Sequence, residues 1–332
     1  MNILKKTIPV FLMILLIAGV FTSCGSSDKK QSDKTLQIVT TVFPAYDWTK
    51  EVLGDRAKDA ELTMLLDDGV DLHSYQPTAE DLEKIASCDL FIYVGGESDE
   101  WVEDALKSKT NKNRVEINLM DALGDSVKEE EEVEGMQAED EHEHEGEKAE
   151  SEEPEQDEHI WLSLRNAEIC TQAIADHLKK LDPSNKTAYE NNETAYKEKL
   201  TGLDKEYQDT VDHAKRKTLL FADRFPFRYL ADDYGLKYYA AFKGCSAETE
   251  ASFKTITFLA NKADEENLPY VMTIEGSDQK IAKSVISNTK KKIQQIMTMD
   301  SMQSTTSQDV KDGKSYLSVM EENLSVLQKA LN

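Results

Sequence analysis

Cysteine is scarce in this chain. Four cysteines in 332 residues are too few for a disulfide framework, and no Cys-x-x-Cys pair exists. Basic residues are in deficit: 39 Lys and Arg face 64 Asp and Glu, a formal net charge of -25. Phosphate backbones bind basic faces, so nucleic acid is excluded as a partner. No long apolar run occurs beyond the N-terminus, which excludes a polytopic membrane protein. Catalytic signatures are also missing. The chain has no H-E-x-x-H, G-x-S-x-G elbow, P-loop or G-x-G-x-x-G.

What is present begins with an address. Lys5 and Lys6 precede a 14-residue apolar stretch, Ile8 to Phe21, too short to span a bilayer comfortably. Residues 1–23 therefore read as a signal peptide. The junction Thr22-Ser23-Cys24-Gly25 places a small residue before a cysteine and resembles a bacterial lipoprotein cleavage box. Lipidated Cys24 and a flexible tether through residue 35 would hold the rest outside the cytoplasm, at the membrane surface.

Much of the negative charge is concentrated in one block. Residues 129–158 hold seventeen Asp and Glu against one Lys. Such a block self-repels and has little apolar surface to bury, so a disordered acidic loop is expected there. It also contains His142 and His144, two of only six histidines, and alternating Glu and His collects divalent cations weakly.

Around this block the apolar pattern alternates. Strand-like runs at 36–41, 61–66, 89–94 and 114–118 are interleaved with helical spacing at 44–53, 78–86 and 101–108. A second series follows, with strands at 218–221, 237–241, 270–274 and 295–299. Its helices fall near 226–234, 250–266, 278–289 and 316–331. Strand–helix alternation implies an α/β fold with mainly parallel sheets. Between the halves, Tyr189, Tyr196, Leu200, Leu203, Tyr207, Val211 and Ala214 recur at helical steps. A helix over 184–215 would run roughly 48 Å, long enough to back two lobes. The expected division is an N-terminal lobe at 36–181, a linking helix at 182–215 and a C-terminal lobe at 216–332.

Polar residues at strand ends are the candidates for chemistry, because open parallel sheets bind ligands beyond the carboxyl ends of their strands. His73 lies in a turn-rich stretch and His159 follows the acidic block. Glu275 and Asp300 directly follow apolar strand runs. Imidazole with carboxylate suits Zn²⁺ or Mn²⁺. Cys88 and Cys170 read as buried thiols. Cys245 falls on a loop near the same strand ends, where a thiolate ligand would suit zinc. Tyr75, Tyr229, Tyr238 and Tyr239 read as packing residues that could line a cleft. His177 and His213 fall on helix surfaces.

Several segments together resemble a known family. They are GVDLHSYQPTAEDL (69–82), LFIYVGGESDEW (90–101), DEHIWLSLRNA (157–167), YENNETAYKEKLTGLD (189–204) and the strand and glutamate at 271–275. Across about residues 36–331 the chain is similar to the metal-binding solute receptors of zinc and manganese ABC importers. The resemblance implies two α/β lobes joined by one long rigid helix, with the metal held in the interlobe cleft. It matches His73 and His159 to the family's two N-terminal histidines. The MDSM segment (299–302) matches the motif that supplies a carboxylate, so Asp300 is the next ligand implied and Glu275 a weaker one. The acidic block before His159 resembles that of the zinc members.

One position departs from the family. Where His or Glu is usual stands Arg224, which has no lone pair for a metal. The gap leaves four readings: Asp223 replaces it, Glu275 swings in, water completes the shell, or Arg224 pairs with Glu248 or Glu275 and stiffens the cleft.

The expected function is a monomeric receptor without enzymatic activity. It captures Zn²⁺ as transported cargo and passes it to ABC permease subunits. The alternatives are a manganese receptor of the same type and a metal-sequestering surface adhesion protein. A zinc hydrolase with Glu275 as base is a third, unsupported by any motif.

Overall fold

The computed structural model describes residues 35–137, 155–246 and 250–332. The expected signal peptide, Cys24, His142, His144 and Glu248 lie outside those residues. Among the described residues no helix is long and apolar enough to cross a membrane.

Two four-stranded sheets form, and every named strand pair in them is parallel. The first contains β1 (Leu36–Thr40), β2 (Ala60–Met64), β3 (Leu90–Tyr93) and β4 (Val115–Asn118), in the order β2-β1-β3-β4. The second contains β5 (Thr218–Arg224), β6 (Lys237–Phe242), β7 (Tyr270–Ile274) and β8 (Gln295–Met299), in the order β6-β5-β7-β8. The two orders are the same pattern used twice. In each, the connection reverses direction beside the first strand, which opens a crevice at the strands' carboxyl ends.

The flanking helices start where the sequence provides caps. α1 spans Phe43–Leu53, and α2 (Ala79–Ser87) opens on a capping box of Thr78 and Asp81. α3 (Trp101–Lys107) and α4 (Leu119–Leu123) follow, and α5 (Leu164–Leu181) is capped by Ser163. α7 (Arg228–Tyr234) ends on Gly235, whose φ of 66° is the left-handed turn that glycine tolerates. α8 (Phe253–Glu265), α9 (Lys280–Asn288), α10 (Ser307–Lys311) and α11 (Tyr316–Ala330) complete the second series.

The linking helix α6 covers Lys186–Asp212, about 40 Å at 1.5 Å per residue. That is shorter than 184–215, because residues 183–185 form a 3-10 turn and His213 caps the far end. Its buried side is the expected stripe of Tyr189, Tyr196, Leu200, Leu203, Tyr207 and Val211. That stripe packs against α1 and α5 of the first half and α7 and α11 of the second. One apolar cluster consequently runs from Ile38 through α6 to Leu331, and a smaller one fills the outer side of the second sheet.

Two features depart from the sequence reading. α11 is not confined to the second lobe. It lies against α1 and α6, with the Tyr316 amide donating to Asp47 and its ring edge-on to Trp48 at 5.2 Å. The acidic block is also not free along its whole length. Glu129 and Gln156 form an antiparallel bridge, and the Asp157 amide donates to the Lys128 carbonyl at 2.8 Å. Met136 is buried, and the Gln137 amide reaches the Ala241 carbonyl. Composition treated the seventeen acids as equivalent, whereas those at the ends have partners in the fold.

Candidate metal centre

His73 sits in a 3-10 turn, Leu72–Ser74, after β2. Asp71 caps that turn, its side chain accepting the His73 amide at 3.1 Å. His159 lies at the start of a second 3-10 turn, and Asp157 accepts its amide in the same way at 2.8 Å. The two rings meet with Nε2 facing Nε2 at 3.3 Å.

Each Nδ1 is fixed from behind. That of His159 lies 2.9 Å from an Asp157 oxygen. That of His73 lies 2.7 Å from Ser98 Oγ, while the Ser98 amide donates to Glu158 at 2.7 Å. Adjacent acids, Asp157 and Glu158, thus support one histidine each. An Nδ1–H held this way turns the Nε2 lone pair toward the other ring, the usual outer support of a metal-bound histidine.

Titration follows the same asymmetry. Burial, together with a second imidazole opposite, pushes His73 down to about 4. Burial also opposes charging His159, but the carboxylates of Asp157, Glu130 and Glu158 outweigh it and raise its pKa. His73 is therefore a neutral, lone-pair donor at physiological pH.

The turn after β3 that carries Ser98 is itself held by a buried acid. Asp99 accepts the amides of Val94 and Gly95, and burial followed by nearby Glu158 pushes its carboxyl up to about 7. A folded pKa above the unfolded value means a stabilising contribution present at low pH and lost as pH rises through about 7. Asp99→Asn should therefore raise the melting temperature relative to the parent at pH 8 and raise it by clearly less at pH 5, where only part of the loss has accrued. Melts at both values check this. An equal shift at both would remove Asp99 from the account.

A cleft of about 500 Å³ opens beside the pair, lined by Asp71 and His73 on one side and by Arg224, Glu275, Ser277 and Gln303 on the other. Arg224 pairs with a carboxylate, but among the described residues the partner is Asp71 and not Glu275. It crosses the cleft to Asp71 at 2.5 Å, with a longer bond to the Ser246 carbonyl. Burial works against the Asp71 charge, but the guanidinium outweighs it and lowers the pKa. A cation from the second lobe therefore holds the residue that caps the His73 turn. Asp223 accepts the amides of Arg224 and Ile274 and does not join the ligand groups around His159.

The structure does not bring Asp300 or Glu275 into the histidine cluster. Asp300 pairs with Lys314 at 2.7 Å and accepts the Met302 amide. Glu275 lines the cleft, yet its oxygens accept the Ser301 amide and hydroxyl and the Gln303 amide, at 2.7–3.1 Å. Asp300 and burial together raise its pKa. The residue that does reach the histidines is Cys245. Its sulfur and one ring nitrogen of each of His73 and His159 all lie within 4.8 Å of one another. Loop position was the only signal for it in the sequence. A second group within the same limit is Glu130, Asp157 and His159.

The remaining candidates lie elsewhere. Tyr229 touches the site only through backbone, its hydroxyl donating to the Asp157 carbonyl at 2.8 Å. Tyr75, Tyr238 and Tyr239 donate to Asp81, Glu131 and Glu266. Cys88 and Cys170 are buried free thiols. His177 and His213 bond to carbonyls of their own helices.

Two α/β lobes that share a helical spine and face each other across a polar cleft are the architecture of proteins that hold a solute between lobes. The chain belongs to the family described as zinc-uptake complex component A, periplasmic, whose model matches residues 38–330. Among curated relatives, the zinc-binding lipoprotein AdcA of Streptococcus pneumoniae is 33% identical over 324 residues. Those residues are 96% of this chain but 60% of AdcA, so the chain spans well under the whole of that relative. The high-affinity zinc uptake system protein ZnuA of Bacillus subtilis is 32% identical, covering 96% of this chain and 97% of that protein. The Zn(II)-bound ZnuA-like domain of S. pneumoniae AdcA superposes with a TM-score of 0.68 at 31% identity, over 90% of this chain and 99% of that one. The metal-dependent lipoprotein YcdH of B. subtilis gives 0.71 at 27% identity, over 90% and 99%.

Proposed function

We propose that this protein is a monomeric receptor, held outside the cytoplasm and anchored to the cell membrane through lipidated Cys24, that binds zinc between its lobes and delivers it to an ABC permease. The observation that carries the reading is the 3.3 Å approach of two Nε2 atoms whose opposite nitrogens are each already held. With Zn–N bonds of ~2.0–2.1 Å, the edge of a tetrahedral site is about 3.3 Å, so the two lone pairs are already spaced for one ion. Borderline-soft imidazole favours zinc over magnesium or calcium. Relatives named for zinc binding and zinc uptake, and a lipoprotein among them, support both the cargo and the anchor. Glu275 and Asp300 reach the ion in this reading only by exchanging their present partners, Ser301 and Lys314. His142 and His144 collect metal weakly on the acidic segment.

The test is competitive titration of zinc and manganese against a chelator, on the protein and on a variant lacking residues 138–154. One tight zinc equivalent is expected in both, with manganese weaker. Preference for manganese would change the cargo. Loss of the tight equivalent on deletion would favour sequestration by the acidic segment and sink the cleft assignment.

A further inference from the structure

Two histidines supply only two corners of a tetrahedral site, and a tight one requires more. At the position where the family usually provides His or Glu, this chain has an arginine that is committed to Asp71. The strand-end carboxylates Asp223, Glu275 and Asp300 are each engaged by amides, a hydroxyl or a lysine. The side chain that approaches both histidines comes from the turn after β6, Lys243-Gly244-Cys245.

That turn is built to lie against His159. A methyl group at Gly244 would sit 3.1 Å from His159 Cε1 and Nδ1 and equally close to the Phe225 carbonyl, so any side chain there would crowd the histidine. The Cys245 amide donates to Glu130 Oε1 at 3.0 Å, which ties the turn to the root of the acidic segment. Lys243 pairs with Glu155 at 3.3 Å across the same root. Three independent features therefore place the sulfur at the histidine pair: the missing side chain at Gly244, the Glu130 bond and the Lys243 pair.

We propose that Cys245 is the third metal ligand of this receptor, taking over the work of the family ligand that Arg224 displaces. The ligand set is then two imidazoles and a thiolate, with the fourth corner left to water or a cleft carboxylate. For Zn–S of ~2.3 Å and Zn–N of ~2.05 Å, the tetrahedral N···S edge is about 3.6 Å. The separations of at most 4.8 Å therefore need to close by no more than about 1 Å when an ion enters. A thiolate selects zinc and other thiophilic late metals and discriminates against manganese more sharply than a carboxylate would. This inference rests on the receptor reading and specifies its ligand shell.

Cobalt(II) in place of zinc provides the test, because a thiolate bound to it gives a near-ultraviolet charge-transfer band that imidazole and carboxylate do not. The band is expected in the cobalt-loaded protein and in a Cys24→Ala/Cys88→Ala/Cys170→Ala variant, and should vanish in Cys245→Ser. Zinc affinity of Cys245→Ser should fall on the order of 100-fold, with the preference over manganese narrowed. A protein that binds one equivalent of cobalt without the band overturns the thiolate ligand while leaving the receptor reading intact. Unchanged zinc affinity in Cys245→Ser does the same. Failure of the unmodified protein to bind either metal overturns both.

Discussion

His159→Ala is expected to lower zinc affinity by about 100-fold or more. Tight four-ligand zinc sites are worth ~10–16 kcal/mol, roughly 3 kcal/mol per ligand, and 1.4 kcal/mol is tenfold in affinity. His159 is fully buried, and it carries the orienting bond to Asp157. Its removal also leaves Asp157, Glu130 and Glu158 without the imidazole they surround. Chelator competition reads the affinity, and a thermal melt on the same sample separates lost ligation from lost folding. Asp157→Asn is the milder companion, expected to weaken zinc by about 10–100-fold through loss of ring orientation alone. Affinity within twofold of the parent in His159→Ala would show that the ion does not bind at the paired imidazoles.

The largest effect on folding should come from Trp161. Its ring is 1% exposed. Its indole N–H donates to the Ser301 carbonyl at 2.8 Å, and its own carbonyl accepts the Tyr316 hydroxyl at 2.7 Å. One residue therefore joins the first lobe to the β8 loop and to α11. Trp161→Ala is expected to destabilise by about 3–5 kcal/mol, the range for truncating a buried aromatic. Urea unfolding followed by two probes should show one coincident transition, because the apolar cluster is continuous across both lobes. Trp161→Phe keeps most of the packing and should lose about 1–2 kcal/mol for the missing bond. Separate transitions, or a loss under about 1 kcal/mol in the alanine variant, would mean that the lobes are energetically independent at this point.

The elements of the fold were readable because their signals are local. The α6 stripe, the Thr78–Asp81 box and the apolar strand runs each need only a few neighbouring residues to be recognised. His73 and His159 were found by resemblance, and their support by Asp157 and Glu158 lies in the same short motif. What escaped depends on partners far along the chain. Asp300 looks like any strand-end carboxylate until Lys314 folds back on it. Arg224 finds Asp71, 153 residues away, and no spacing rule connects the two. Cys245 lies 86 residues beyond His159, and nothing but its loop position pointed to the site. The acidic block misled for a related reason. Mean charge describes its middle, whereas its ends are governed by individual hydrogen bonds such as Glu130 N–H to the Glu155 carbonyl at 2.8 Å.

The closed root of that block makes residues 138–154 an insertion port. Glu129–Glu130 and Glu155–Gln156 clasp each other, so the two sides of the block are tied together at its base. Lengthening a loop whose ends are already tied together costs only about 0.6 kcal/mol per doubling. A fluorescent domain or a peptide tag spliced there would report from within about one turn of chain of Asp157, without the rest of the protein having to accommodate it.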